Sequence, residues 1–166
     1  MNRLHFIRYL EQGIHYDGRG LLEYRPVTVT VNVSHSAEGS AQVMIGQTQV
    51  MAGVKLAVET PYPDSPENGN LMVNAELLPI SNPEFEPGPP QIQAIELARV
   101  VDRGIRESHA IDTAKLCIKA KEKVWSVMID VMSINDEGNL FDASSVAALA
   151  AIKNARFPKY ENDAID

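Results

Sequence analysis

One cysteine, Cys117, stands alone in 166 residues, so no internal disulfide and no paired-cysteine zinc pattern can exist. It lies in the apolar run Leu116-Cys117-Ile118 without an activating partner in sequence, which predicts a small buried hydrophobe rather than a nucleophile. No run approaches the ~18 apolar residues of a membrane span. Arg3, His5, Arg8 and Glu11 interrupt the apolar positions of the first turns, which argues against a signal peptide. The expectation is an intracellular, cytoplasmic protein with no membrane partner. No GxxxxGK[ST] or GxGxxG run is present, and His5, His15, His35 and His109 are scattered without metal-ligand spacing. No metal and no cofactor are expected. Ser34-His35-Ser36 falls at a strand end, where neighbouring side chains point apart, so it makes no catalytic triad.

Basic charge is also in short supply. Lys and Arg number 15 against 22 acids, a formal net charge of −7. This excludes a protein that coats nucleic acid over its whole surface. It leaves room for a local basic site, because physiological salt confines each charge to roughly 8 Å. Such a site would be shared with a more basic partner.

What is present is a 45% hydrophobic chain with ordinary patterning, enough for one domain with a sizeable core. Leu4, Ile7 and Leu10 predict a short amphipathic helix over 3–12, ended by Gly13. Asp17-Gly18-Arg19-Gly20 marks a turn, flanked by Arg19 and Arg25, which are expected to tie an extended segment to the core. Val27, Val29, Val31 and Val33 alternate with polar residues, the pattern of a half-buried strand. Strands over 41–45 and 48–58 flank Gly46-Gln47, suited to a two-residue hairpin turn. An exposed loop, TPYPDSPENGN, leads to a strand over 71–80. Further strands are expected over 116–118 and 123–134, the latter with Trp125, Val127, Ile129 and Val131 on one face. Asp130 falls on the other face and reads as a satisfied structural acid. An alanine-rich helix runs from about Asp142 to Ala155, with Asp142 or Ser144 near its start, and Phe157-Pro158 stops it. The expected class is α+β: a mixed sheet with helices packed on one side. One domain is expected over 1–158, and 159–166 as a frayed polar tail.

The segment from Phe85 to Ser108 carries most of the information. Pro87, Gly88, Pro89 and Pro90 form a stiff lead-in that cannot be helix interior. A helix follows with Ala94, Leu97, Ala98, Val101 and Ile105 on one face. Arg99, Arg103 and Arg106 fall on the other, their Cα directions within about 60° at roughly 100° per residue. Glu96, Asp102 and Glu107 lie close enough to make this an ordinary solvated face with surface ion pairs. The alternative is an anion-binding stripe, since arginine matches phosphate in bidentate fashion. Gly104 within the helix suggests close packing.

FEPGPP followed by IELARVVDRGIRES resembles the non-catalytic RNase PH-type ring subunit of the archaeal exosome. So do Asp17-Gly18-Arg19 with Tyr24-Arg25-Pro26, Gly39-Ser40-Ala41 with Ile45-Gly46, Gly69-Asn70-Leu71 through Glu76-Leu77, and Glu137-Gly138-Asn139-Leu140 through Asp142-Ala143. None of these is specific alone; their order over nearly the whole chain is. The resemblance covers the amino-terminal half of such a subunit, and implies an RNase PH-like domain whose second, homologous half would begin near residue 159.

The resemblance further implies a hexameric ring in which this subunit alternates with a catalytic sister, beneath RNA-binding cap subunits, with single-stranded RNA entering the channel. Arg99 and Arg103, with Arg106 on the same stripe, are then expected to bind the RNA backbone, and no catalytic residue is assigned. Catalytic relatives carry paired arginines just before the helix, where this sequence has Phe85 to Pro90 without a base. The expected role is a non-catalytic, scaffolding subunit of a 3′-to-5′ RNA-degrading complex. The alternatives are a phosphate-dependent exoribonuclease in its own right, or a metabolic enzyme of similar fold.

Overall fold

Long runs of valine, alanine and isoleucine at alternate positions build one six-stranded sheet, seen in a computed structural model that describes residues 3–161 and 164–165. Strands β2 (Gly39–Ile45) and β3 (Thr48–Glu59) form the expected hairpin, with Ile45 opposite Thr48. Gly46 has φ +61, as the first central position of a type II′ turn requires. Strand β3 pairs antiparallel with β6 (Lys123–Asn135), Val54 facing Ile129. On its other side β6 runs parallel to β4 (Asn70–Leu77), Val73 facing Ile129. The order is β1-β2-β3-β6-β4, with β1 (Val27–Val31) at one edge and the short β5 (Cys117–Lys119) on β6. Leu116 belongs to a short 3₁₀ turn ahead of β5 rather than to the strand, and Cys117 is only half-buried.

Two helices cover one face of this sheet, so the α+β expectation holds. Helix α2 (Ile92–Glu107) buries Ala94, Leu97, Val101 and Ile105 beside β4. Helix α3 (Leu140–Asn154) buries Ala143, Ala147, Ala148 and Ala151 over β2 and β3. The small side chains let its backbone come close: a Cβ on Gly39 would lie 2.4 Å from the Ala151 carbonyl oxygen. The start of α3 differs from expectation. Asn139, at φ 67, is the cap, its side chain accepting from the Asp142 N–H at 3.4 Å. Ser144 is fully buried, one turn inside the helix.

Among the described residues the opposite face carries no helix. There the sheet presents Met44, Met51, Met72, Met128 and Met132, all half-buried, while their neighbours in sequence on the helix face are mostly fully buried. Strand β1 is a correction to the half-buried reading. Val27, Val29 and Val31 are 44–48% exposed, because α3 lies over β2 and β3 and leaves the edge strand largely uncovered. The strand ends at Val31, where Asn32 turns to φ 58. Helix α1 (Arg3–Glu11) forms as expected but buries no residue. Arg25 performs the tie assigned to it, donating to the carbonyls of Glu137 (3.2 Å) and Gly138 (3.0 Å). Among the described residues the Arg19 side chain bonds only within its own turn, to Asp17 (2.7 Å) and the Glu23 carbonyl. Of the polar tail, Asn162, Asp163 and Asp166 lie outside the described residues; Tyr160–Glu161 pairs with Ala164–Ile165 as two short strands. Phe157 and Tyr160 meet Trp125 edge-on at 5.2 and 5.8 Å.

Gly104 overturns the close-packing expectation. It is exposed, and a Cβ there would meet nothing within 4 Å. Gly104→Ala should therefore stabilise the protein by about 0.5–1 kcal/mol through helix propensity. Gly39→Ala, meeting backbone, should cost about 1–3 kcal/mol. Paired denaturant melts check both signs, and a destabilised Gly104→Ala would restore the packing reading.

Glu38 clamps the loop before β2 to β3. Its carboxylate accepts from Lys55 Nζ at 2.6 Å and from the Leu56 N–H at 3.0 Å. Burial pushes its pKa up, but the lysine and backbone hydrogen bonds outweigh this and hold it below the ordinary glutamate value. The contribution is then full above the unfolded-state pKa and disappears as pH falls through the folded-state value. Glu38→Gln should be less stable than the parent by about 1–2 kcal/mol at pH 7. The two melting curves should converge as pH is lowered below 4; a gap that persists there would contradict this origin.

Candidate RNA-backbone interface

Strand β4 needs a crossover to lie parallel to β6, and α2 is the helix of that crossover. Its apolar face meets β4, so the arginine stripe is turned outward and stays exposed. Between α2 and the outer part of β4 opens a groove of about 1120 Å³, with Arg99, Arg103 and Arg106 along its helical wall. Val73, Asn74 and Glu76 of β4 and Asp130 of β6 complete it.

The three arginines are not equivalent. Arg106 is committed: its Nε donates to Asp102 Oδ2 at 2.7 Å and its Nη2 to the Leu71 carbonyl, tying α2 to β4. Arg103 stands 3.8 Å from Glu107, both side chains more than 70% exposed, a contact worth little in water. Arg99 is exposed and makes no ion pair or hydrogen bond among the described residues. The stripe read from the spacing therefore exists, with two of its members available and one spent on the fold.

The surrounding charge is not favourable by itself. Five carboxylates, Glu76, Glu96, Asp102, Glu107 and Asp130, line the same groove as the three arginines. Asp130 is satisfied by Asn74 Nδ2 at 3.2 Å, across the parallel pair of strands, in keeping with the structural reading. Asn74 and Glu76 escaped the sequence reading: nothing local announces that strand 70–77 lies beside strand 123–135. Ahead of α2, the segment from Phe85 to Gln91 carries no base, and Glu86 accepts from Gln91 Nε2 at 3.2 Å. Ser34 and Ser36 hydroxyls lie 3.2 Å apart with His35 exposed between them in sequence, and no triad forms. Among the described residues no cluster could hold a metal ion, and no helix is long and apolar enough to cross a membrane.

Residues 23–158 match the 3′ exoribonuclease family, domain 1, of RNase PH type. The chain belongs to that family. Among its relatives is the exosome complex component Rrp42 of Archaeoglobus fulgidus, 56% identical over 142 residues that span 86% of this chain and 55% of the relative. Rrp42 of Sulfurisphaera tokodaii is 53% identical over 152 residues, 92% of this chain and 55% of the relative. The chain thus spans about half the length of the relatives it matches. A solved Archaeoglobus fulgidus exosome with RNA bound to the active site superposes with a TM-score of 0.89 at 52% identity, covering 92% of this chain and 60% of that one. An archaeal exosome core gives 0.82 at 48%, covering 92% and 57%. Rice Rrp46, at 22% identity and a TM-score of 0.64, shares the fold.

In this RNase PH-family domain the unequal engagement of the arginines has a direct consequence. Arg106→Ala should lower stability by about 1–2 kcal/mol, since it leaves the Leu71 carbonyl and Asp102 without their donor. Arg99→Ala should stay within about 0.5 kcal/mol of the parent. Urea denaturation of the two single variants checks this, and equal losses would mean that the helix–sheet tie is not the source.

Proposed function

We propose that this chain is the amino-terminal part of a non-catalytic ring subunit of an archaeal-type exosome, and that Arg99 and Arg103 grip the RNA backbone beside a catalytic sister subunit. The carrying observation is the pair of exposed, weakly engaged guanidinium groups on one wall of the groove. Each has planar donors free for bidentate phosphate contact. Arg106 keeps α2 in register on β4 and adds its charge to the stripe.

Five carboxylates against three arginines give the groove too little positive potential to hold a polyanion alone. The remaining basic charge comes from the neighbouring subunit, so RNA is held at a shared boundary and cap subunits deliver it there. The subunit itself is inactive. Phosphorolysis requires phosphate and the RNA backbone to be neutralised together, and the segment ahead of α2 supplies no base. The complex works on single-stranded RNA in the cytoplasm.

The test uses a ring reconstituted with the sister subunit. Arg99→Ala with Arg103→Ala should weaken binding to all RNA sequences about equally, because phosphate contacts carry no base information. Each lost contact should flatten the dependence of log affinity on log salt by roughly 0.7, so the double variant should lose about 1.4. Arg99→Lys should recover only part of the affinity, having charge without the fork. The chain alone, given RNA and inorganic phosphate, should release no nucleoside diphosphate. An unchanged salt slope in the double variant would leave α2 as ordinary surface, and diphosphate release by the chain alone would make it an enzyme in its own right.

A further inference from the structure

The two edges of the sheet are treated differently. At the β4 edge the Gly69 N–H donates to the Thr113 carbonyl at 2.8 Å, and Arg106 occupies the Leu71 carbonyl. At the β1 edge nothing comparable occurs among the described residues. The hydrogen bonds flanking β1 fix which of its groups are free. Gly46 N–H donates to the Pro26 carbonyl and Asn32 N–H to the Ser40 carbonyl, both at 2.9 Å. With Val27 facing Ile45 and Val31 facing Ala41, the even-numbered residues make the hydrogen-bonded pairs with β2. The N–H and C=O groups of Val27, Val29 and Val31 therefore point outward, away from the sheet.

Exposed edges are normally blunted by lysine, an inward charge, a bulge or proline within the strand. The stretch from Val27 to Ala37 contains no charged residue and no proline, and the β1–β2 register runs without a bulge. The strand also reads the same in both directions: Val-Thr-Val-Thr-Val.

We infer that β1 is a strand-pairing surface whose occupant is β1 of a second copy of this chain, joined antiparallel about a two-fold axis at Val29. This inference stands on the edge geometry and does not rest on the ring reading. In this register Val29 faces its own counterpart and Val27 faces Val31, so all the outward groups pair, giving about six backbone hydrogen bonds. Valines meet valines on the helix side, adding cover to side chains that α3 leaves 44–48% exposed. Threonines meet threonines on the other, and both kinds of cross-strand pair are favourable. No like charges oppose one another within the strand. A two-fold axis normal to the sheet keeps both helix layers on the same side, as an isologous interface requires.

The parity argument selects the variants. Val29→Pro removes an outward N–H and spares the β2 ladder, whereas Val29→Lys sets two ammonium groups opposite each other across the axis. The parent chain should move from one chain mass to two as concentration rises in sedimentation equilibrium. Both variants should raise the dimer dissociation constant at least tenfold while keeping the parent's far-ultraviolet circular dichroism. Val29→Cys, in a Cys117→Ser background, gives a positive signal that does not depend on disrupting anything. Opposed residues of a hydrogen-bonded pair sit about 5.5 Å apart at Cα, within disulfide reach. Mild oxidation should therefore cross-link Val29→Cys into dimers, and should leave Thr28→Cys, which opposes Thr30, at least tenfold less cross-linked. A parent that stays at one chain mass, or a folded Val29→Lys that dimerises as well as the parent, overturns the inference; so does equal cross-linking of the two cysteine variants.

Discussion

The parallel pairing of β4 with β6 governs the arrangement of everything on the helical side. Antiparallel neighbours can be joined by a two-residue turn, as β2 and β3 are, but parallel neighbours need a crossover long enough to return across the sheet. The residues between Leu77 and Lys123 supply it, and α2 is its rigid part. Because Leu97, Val101 and Ile105 must be buried, the polar side of α2 is turned outward, and Arg99 and Arg103 follow. Arg106 then secures the pose through the Leu71 carbonyl, a contact between helix and sheet that no propensity within α2 supplies. The groove is thus a by-product of strand direction.

Elements whose burial is decided by their own residues were legible in the sequence. The apolar face of α2 was fully specified by its spacing, and Gly46-Gln47 between two alternating runs marked the hairpin. Elements whose burial is decided by a distant neighbour were not. The valines of β1 alternate as a half-buried strand should, yet their exposure depends on where α3 happens to lie. Gly104 looked like a packing glycine and proved to face solvent, since a sequence shows the missing side chain without showing what stands opposite. The capping role fell to Asn139 rather than Asp142, because the left-handed turn at Asn139 brings its side chain back to the first N–H groups of α3.

The candidate site divides in the same way. Spacing alone placed three arginines on one stripe, but ranking them needed partners 4 and 35 residues away, Asp102 and Leu71. The carboxylates of Glu76 and Asp130 join the groove only because β4 and β6 are neighbours. Their presence gives the net charge of −7 a local meaning: the shared site expected from the composition now has named carboxylates beside its arginines.

The position of β6 has a consequence in time rather than in space. It is the strand that β3, β4 and β5 all require, and it comes after all three in the chain. While the polypeptide is being made, only the β2–β3 hairpin and its pairing with β1 can form early. At about 5–20 residues per second, the interval between completion of Glu59 and of Asn135 is roughly 4–15 s. For that interval the apolar side of the hairpin has neither its central neighbour nor its covering helices. Non-local pairing of this kind slows folding, so the newly made chain passes through a period of sticky, incomplete sheet that the finished protein gives no sign of.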